Sequence, residues 1–164
     1  MVLWWPLLLS STIVAAILVS IKQFKENNES GYTEEPINEG TVVRNKNTQI
    51  TANFNASEYY NKNYDSTNFR VDARLVKGLQ VMRNTIDRPI KVISGYRNPT
   101  QNKKVGGTPN SYHLFGMAAD IKVAGYSVDQ MAALAKKLGF GGVGKYRGQG
   151  FLHVDIGPRR EWVG

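Results

Sequence analysis

Hydrophobic and polar positions recur along this chain with two different periods, and each period predicts an element. After Asp72, Leu75, Leu79, Met82 and Ile86 return at the spacing of one helix face, and aspartate is a residue type that caps helix N-termini. Asp87-Arg88-Pro89 ends that helix, because proline denies helical backbone to the residue before it. Asn55 to Glu58 leads into a shorter helix, and Ser127 caps a third in which Val128, Met131, Leu134, Ala135 and Leu138 turn inward. Strands are expected near Thr41 to Val43 and over 90–94, 117–123, 142–145 and 150–156, the last stopped by Gly157-Pro158. Residues 100–109 read as a loop. Two or three helices with several short strands and no internal repeat predict an α+β domain whose helices cover one side of a small antiparallel sheet.

The N-terminus has a different pattern. Residues 2–21, VLWWPLLLSSTIVAAILVSI, carry no charge, and a helix of that length would just cross a hydrocarbon core of about 30 Å. Trp4 and Trp5 suit one interface, and Lys22 and Lys25 the other. A single transmembrane anchor over 1–21 is therefore expected, with a cleaved signal peptide as the alternative; no basic stretch precedes the apolar run and no clean small-x-small site follows it. Residues 22–50 hold five glutamates against four basic residues and read as a polar spacer. That leaves 51–164 as one domain, large enough for a core without staples.

Charge and composition then narrow the chemistry. The whole chain has a net charge of +8, and residues 51–164 hold 17 basic against 8 acidic side chains, a net of +9, which favours an anionic partner. Nucleic acid, anionic lipid and an acidic cell-wall polymer all satisfy that. The chain has no cysteine, so disulfides, thiolate metal sites and cysteine nucleophiles are excluded, and a transition metal would have to use His, Asp or Glu.

Strand alternation shows where such ligands would gather. In 150–156, Leu152, Val154 and Ile156 point one way and Phe151, His153 and Asp155 the other. In 117–123, Met117, Ala119, Ile121 and Val123 share one face, and Ala118, Asp120 and Lys122 the other. If the strands are neighbours, His153 and Asp120 share a face, and His113 can fold back over the strand end. Imidazole and carboxylate ligands with an open position are the set that catalytic zinc uses. The plainer reading keeps His113 as a loop residue, Asp120 as a strand-edge solubiliser and His153 as packing for Phe151.

The stretches ISGYRNPTQN (93–102), SYHLFGMAADI (111–121) and GFLHVDIGPRREW (150–162) resemble, in order and spacing, the peptidase M15 family of zinc D-alanyl-D-alanine carboxypeptidases and endopeptidases. That family includes phage endolysins and shares its fold with the signalling domain of Hedgehog proteins. Its hallmark S-x-H-x-x-G-x-A-x-D is met at Ser111, His113, Gly116, Ala118 and Asp120. The resemblance covers about 54–162 and implies zinc held by His113, Asp120 and His153. It implies that Arg97 faces a substrate carbonyl or carboxylate, a clamp on the following loop through Asn102 being the structural alternative. Ser111 and Tyr146 are carried as substrate-side donors, with orienting the loop as the alternative for Ser111 and packing the sheet edge as the alternative for Tyr146. Many members place an acidic residue three positions before the last histidine or a histidine two before it, and here those positions are Gly150 and Phe151. Asp155, about 6.6 Å along the strand from His153, is left as general base or as a residue orienting the imidazole.

The implied activity is zinc-dependent hydrolysis of peptidoglycan stem peptides or cross-links, with carboxypeptidase and endopeptidase both open. The implied location is a single-pass membrane protein facing the cell wall, or the membrane of a phage particle. A catalytically silent wall- or protein-binding module is the alternative. A nucleic-acid binder rests on charge alone, since no aromatic-interleaved basic track accompanies it.

Overall fold

Helix α1 (Ala73–Ile86) forms where the periodic apolar residues predict it, and the Asp72 side chain accepts the Arg74 N–H as its cap. It stops at Asp87, in left-handed backbone, just before Arg88-Pro89. The computed structural model describes Ala15, Leu18, Val19, Lys22 and residues 42–64 and 67–164. Strand β1 (Val42–Val43) pairs with β4 (Val71–Asp72), and β2 (Gln49–Thr51) with β3 (Phe54–Asn55). These two small ladders buttress α1. Asn55 then closes a capping box with Glu58 over a 3-10 turn, Ala56–Tyr59.

The main sheet has five strands: β5 (Ile90–Ser94), β6 (Ala118–Val123), β7 (Gly142–Tyr146), β8 (Phe151–Asp155) and β9 (Arg160–Val163). Their order is β5-β6-β8-β7-β9. The expected antiparallel sheet is corrected here to a mixed one, because β9 runs parallel to β7. After β8 the chain reverses but passes beyond β7 instead of pairing with β8. It crosses where Gly141 meets Gly157; a Cβ on Gly141 would lie 1.6 Å from the Gly157 carbonyl oxygen, so the crossing needs a glycine there.

Helix α2 (Pro99–Lys104) occupies much of the segment read as a loop. Its polar sequence offers no apolar period, but Asn98 caps it by accepting the Gln101 N–H and Pro99 supplies a preset first residue. Helix α3 (Val128–Leu138) starts on a Ser127–Gln130 capping box and covers one face of the sheet at β7 and β8, with α1 packed beside it. Leu79, Met82, Met131, Ala135 and Leu138 meet Ala119, Ile121, Leu152 and Val154 in that core. The opposite face of β6 and β8 is left for Asp120, His153 and Asp155.

The expectation of a membrane-spanning helix is corrected, and with it the membrane partner and the single-pass or virion-membrane location. Among the described residues no helix is long and apolar enough to cross a membrane. Of residues 2–21 only Ala15, Leu18 and Val19 are described; the rest lie outside the described residues.

Candidate metal centre

Strand register builds most of the site. In the antiparallel β6–β8 pair, Asp120 stands directly opposite His153, and Ala118 opposite Asp155. His113 arrives from a 3-10 turn, Tyr112–Phe115, that folds back over the start of β6 through Met117 N–H to Tyr112 O. Gly116 ends that turn at φ 69°, and a Cβ there would lie 2.3 Å from the Arg70 carbonyl oxygen. Positive φ and close backbone approach together make glycine necessary.

Three acceptor atoms converge. His113 Nε2 lies 3.2 Å from Asp120 Oδ1 and 3.2 Å from His153 Nδ1, and His153 Nδ1 lies 2.9 Å from Asp120 Oδ1. The outer nitrogens settle the tautomers: His113 Nδ1 donates to Gly95 O at 2.6 Å, and His153 Nε2 donates to Asp155 Oδ2 at 3.0 Å. In these neutral tautomers both inner nitrogens present lone pairs beside the Asp120 carboxylate. Such a cluster can hold a cation at its centre. Donors about 2.0–2.1 Å from zinc in a tetrahedron stand about 3.3 Å apart, close to the spacings here, so the residues fit a single zinc ion, with all their ligand atoms within 4.8 Å of one another.

Protons compete with a cation for these inner atoms, and the titration shifts describe the protonated cluster, in which an inner N–H donates to Asp120. Burial pushes His113 below the ordinary imidazole pKa, which keeps it neutral and able to ligate. Burial alone would raise Asp120, but hydrogen bonds from His113 and His153 outweigh it and hold the carboxyl well below the usual range. For His153, burial pulls downward and the hydrogen bonds to Asp120 and Asp155 more than compensate, so its pKa is raised. Asp155 is likewise lowered: burial opposes ionisation, and His153 and Arg160 overcome it.

The other sequence candidates fall in distinct places. Arg97 donates through Nε to Ser94 Oγ at 2.9 Å and through Nη2 to Asp120 Oδ2, so its guanidinium sits against the centre. The Asn102 amide instead donates to Thr108 O at 2.8 Å, holding the loop beyond α2. Ser111 precedes the His113 turn with no side-chain cap bond and lines the cavity. Tyr146 also lines it, with its ring stacked on Phe151 at 4.4 Å and its oxygen accepting the Trp162 indole N–H at 3.2 Å. Asp155 has no exposed surface and lies behind His153, away from the cavity wall.

The cavity measures about 520 Å³. Among the described residues Asp120 is the only carboxylate on its wall, and Arg97 and Arg160 are its cations. The sequence reading did not single out Arg160, Trp162 or Tyr112, all of which line it. The available signal was the two-residue spacing of Arg160 and Trp162, which puts both on one face of a strand.

A family model described as Peptidase M15 matches residues 37–155. Over 80 residues, 46% of this chain and 43% of the relative, the chain is 41% identical to the probable peptidoglycan L,D-endopeptidase MepK of Haemophilus influenzae. It is 35% identical over the same length to the peptidoglycan L,D-endopeptidase MepK of Escherichia coli K12, covering 44% of that protein. It is 33% identical over 122 residues, 67% of this chain and 48% of the relative, to the zinc D-Ala-D-Ala carboxypeptidase of Streptomyces albus G. The match thus spans less than half the length of each of these relatives.

Proposed function

The chain belongs to the peptidase M15 family, and from that premise we propose that it is a zinc-dependent peptidase that hydrolyses peptide bonds in the stem peptides or cross-links of peptidoglycan. The observation that carries this reading is the convergence of His113 Nε2, His153 Nδ1 and Asp120 Oδ1 at 2.9–3.2 Å on the floor of a cavity. The relatives named for peptidoglycan and D-Ala-D-Ala substrates support the substrate class. A net charge of +9 over residues 51–164 also suits anionic stem peptides.

When bound, zinc supplies Lewis acidity: it polarises a peptide carbonyl and makes water a stronger nucleophile near neutral pH. The protein's own groups do the remaining work. His113 and His153 present their inner lone pairs because Gly95 O and Asp155 hold their outer N–H groups. Arg97, beside Asp120 at the cavity floor, offers a fork for the substrate carbonyl or a terminal carboxylate. Tyr146 accepts the Trp162 N–H, so its own hydroxyl proton remains free to reach a developing oxyanion or the leaving amine. Ser111 contributes a further hydroxyl to the wall. Asp155, buried behind the ring, acts through His153 and does not touch substrate.

The test is incubation of the full chain, loaded with zinc, with defined muropeptides, followed by mass analysis. Cleavage that disappears in His113→Ala and His153→Ala supports the proposal, and the product masses separate endopeptidase from carboxypeptidase cleavage. Intact muropeptides after incubation with zinc-saturated protein would refute it. The absence of a second carboxylate from the cavity wall among the described residues favours one rival, a silent wall-binding module. That rival predicts retention on peptidoglycan with no new amine ends.

A further inference from the structure

The family match ends at residue 155, yet β9, which follows it, places Arg160 and Trp162 on the cavity wall. We propose that Arg160 is a positioning residue for the metal centre: by gripping Asp155 it fixes His153 with Nδ1 facing the ion, so strand β9 completes the site. The inference rests on the zinc reading of the triad.

Asp155 Oδ1 is amply held, accepting from Gly142 N at 3.1 Å, Gly157 N at 2.8 Å and Arg160 Nη1 at 3.1 Å. Oδ2 is the oxygen that touches His153, and its other recorded donor is Arg160 Nη2 at 2.5 Å. The backbone amides anchor one oxygen of the carboxylate, and the guanidinium holds the other, the atom that sets the imidazole's tautomer and tilt. A two-pronged donor does this better than a point charge, since both carboxylate oxygens are fixed at once. It also supplies the countercharge that a fully buried carboxylate requires.

The arginine is itself pinned. Its guanidinium carbon lies 4.7 Å from the Tyr112 ring centroid and 5.4 Å from that of Trp162, and Nη1 also donates to Pro158 O at 3.1 Å. Pairing of β9 with β7 sets the register, with Gly142 opposite Arg160 and Gly144 opposite Trp162. Gly144 leaves room for the indole: a Cβ there would meet the Trp162 ring at 2.5 Å. That ring lies 5.1 Å from the His153 ring and walls it from the side.

The experiment uses Arg160→Gln and Arg160→Lys in the full chain. It reads the zinc dissociation constant by competition with a chromophoric chelator, and the ring-15N shifts of His153 in metal-free protein; circular dichroism checks folding. The expected result for Arg160→Gln is zinc binding weakened about tenfold or more and a His153 population no longer purely Nε2–H. Arg160→Lys, which keeps the charge and one bond, should recover part of both. A role confined to fold stability would lower the melting temperature and move neither readout. Folded Arg160→Gln with the wild-type zinc constant and tautomer overturns the proposal. Should that variant fail to fold, wild-type values in Arg160→Lys overturn it and weakened binding with a mixed tautomer supports it. A wild-type chain that takes up no zinc overturns the triad reading and this one together. Zinc binding without muropeptide cleavage removes the peptidase reading alone.

Discussion

Asp155→Asn tests how the site is held, because the substitution is isosteric and its consequences can be counted. Five recorded hydrogen bonds converge on the carboxylate, and all of them are donated to it. An asparagine has one accepting oxygen and one donating NH2. With its oxygen at the Oδ1 position it keeps Gly142, Gly157 and Arg160 Nη1, but its NH2 then confronts Arg160 Nη2 and His153 Nε2. His153 can relieve the clash only by moving its proton to Nδ1, which turns an N–H toward Asp120 and removes the lone pair a metal needs. Two charge-assisted bonds at about 1.5–3 kcal/mol each are lost, while one ordinary bond worth about 1 kcal/mol and one charge-assisted bond from His153 Nδ1–H to Asp120 are gained. The metal-free protein should therefore lose about 1 kcal/mol, read by urea denaturation. Zinc affinity should fall about 10–100-fold, read by chelator competition. An unchanged denaturation midpoint with an unchanged zinc constant would refute this account. Loss of turnover at wild-type zinc affinity would instead make Asp155 a proton acceptor.

Three further outcomes are expected. Zinc added to chelator-stripped protein should raise its stability by about 4 kcal/mol at a free concentration a thousand times the dissociation constant, and His113→Ala should abolish the response in a thermal melt. Tyr59→Phe should be neutral or stabilising by about 1 kcal/mol near pH 7, because the Tyr59 hydroxyl is buried with no partner among the described residues. Burial, and then the charge of Glu58, raise that phenol's pKa, so the folded state keeps its proton while the unfolded chain ionises near pH 10. Wild-type stability is thus intact below that pH and falls as pH rises through it; the variant should lack this alkaline loss in denaturation series at pH 8–11. Gly116→Ala forces a Cβ into left-handed backbone 2.3 Å from Arg70 O, and should cost at least about 2 kcal/mol in the same assay.

What could be read from the sequence was what depends on near neighbours. Strand 90–94 lies where its apolar run predicts, and 117–123 and 150–156 are each within about a residue of β6 and β8, since alternation is a local signal. It also put Asp120, His153 and Asp155 on one face. The hallmark around His113 supplied the third ligand. Other features depend on distant partners. Helix α2 owes its existence to a cap and a proline, not to a period. Strand β9 is four residues after a Gly-Pro stop, and exists because the edge of β7 accepts it. Spacing brings Asp155 near His153 but cannot say on which side of the ring its carboxylate sits. Backbone amides of Gly142 and Gly157 and the fork of Arg160 decide that.

The direct opposition of Asp120 and His153 across β6 and β8 bears on how this family can change over time. Inserting or deleting a single residue within either strand would rotate every downstream side chain to the other face and send a ligand into the apolar layer. Segments outside the ladder, such as the run between α2 and the His113 turn, face no such arithmetic. Length variation among related chains should therefore accumulate there and in the crossing to β9, while the two ligand-bearing strands keep a constant count.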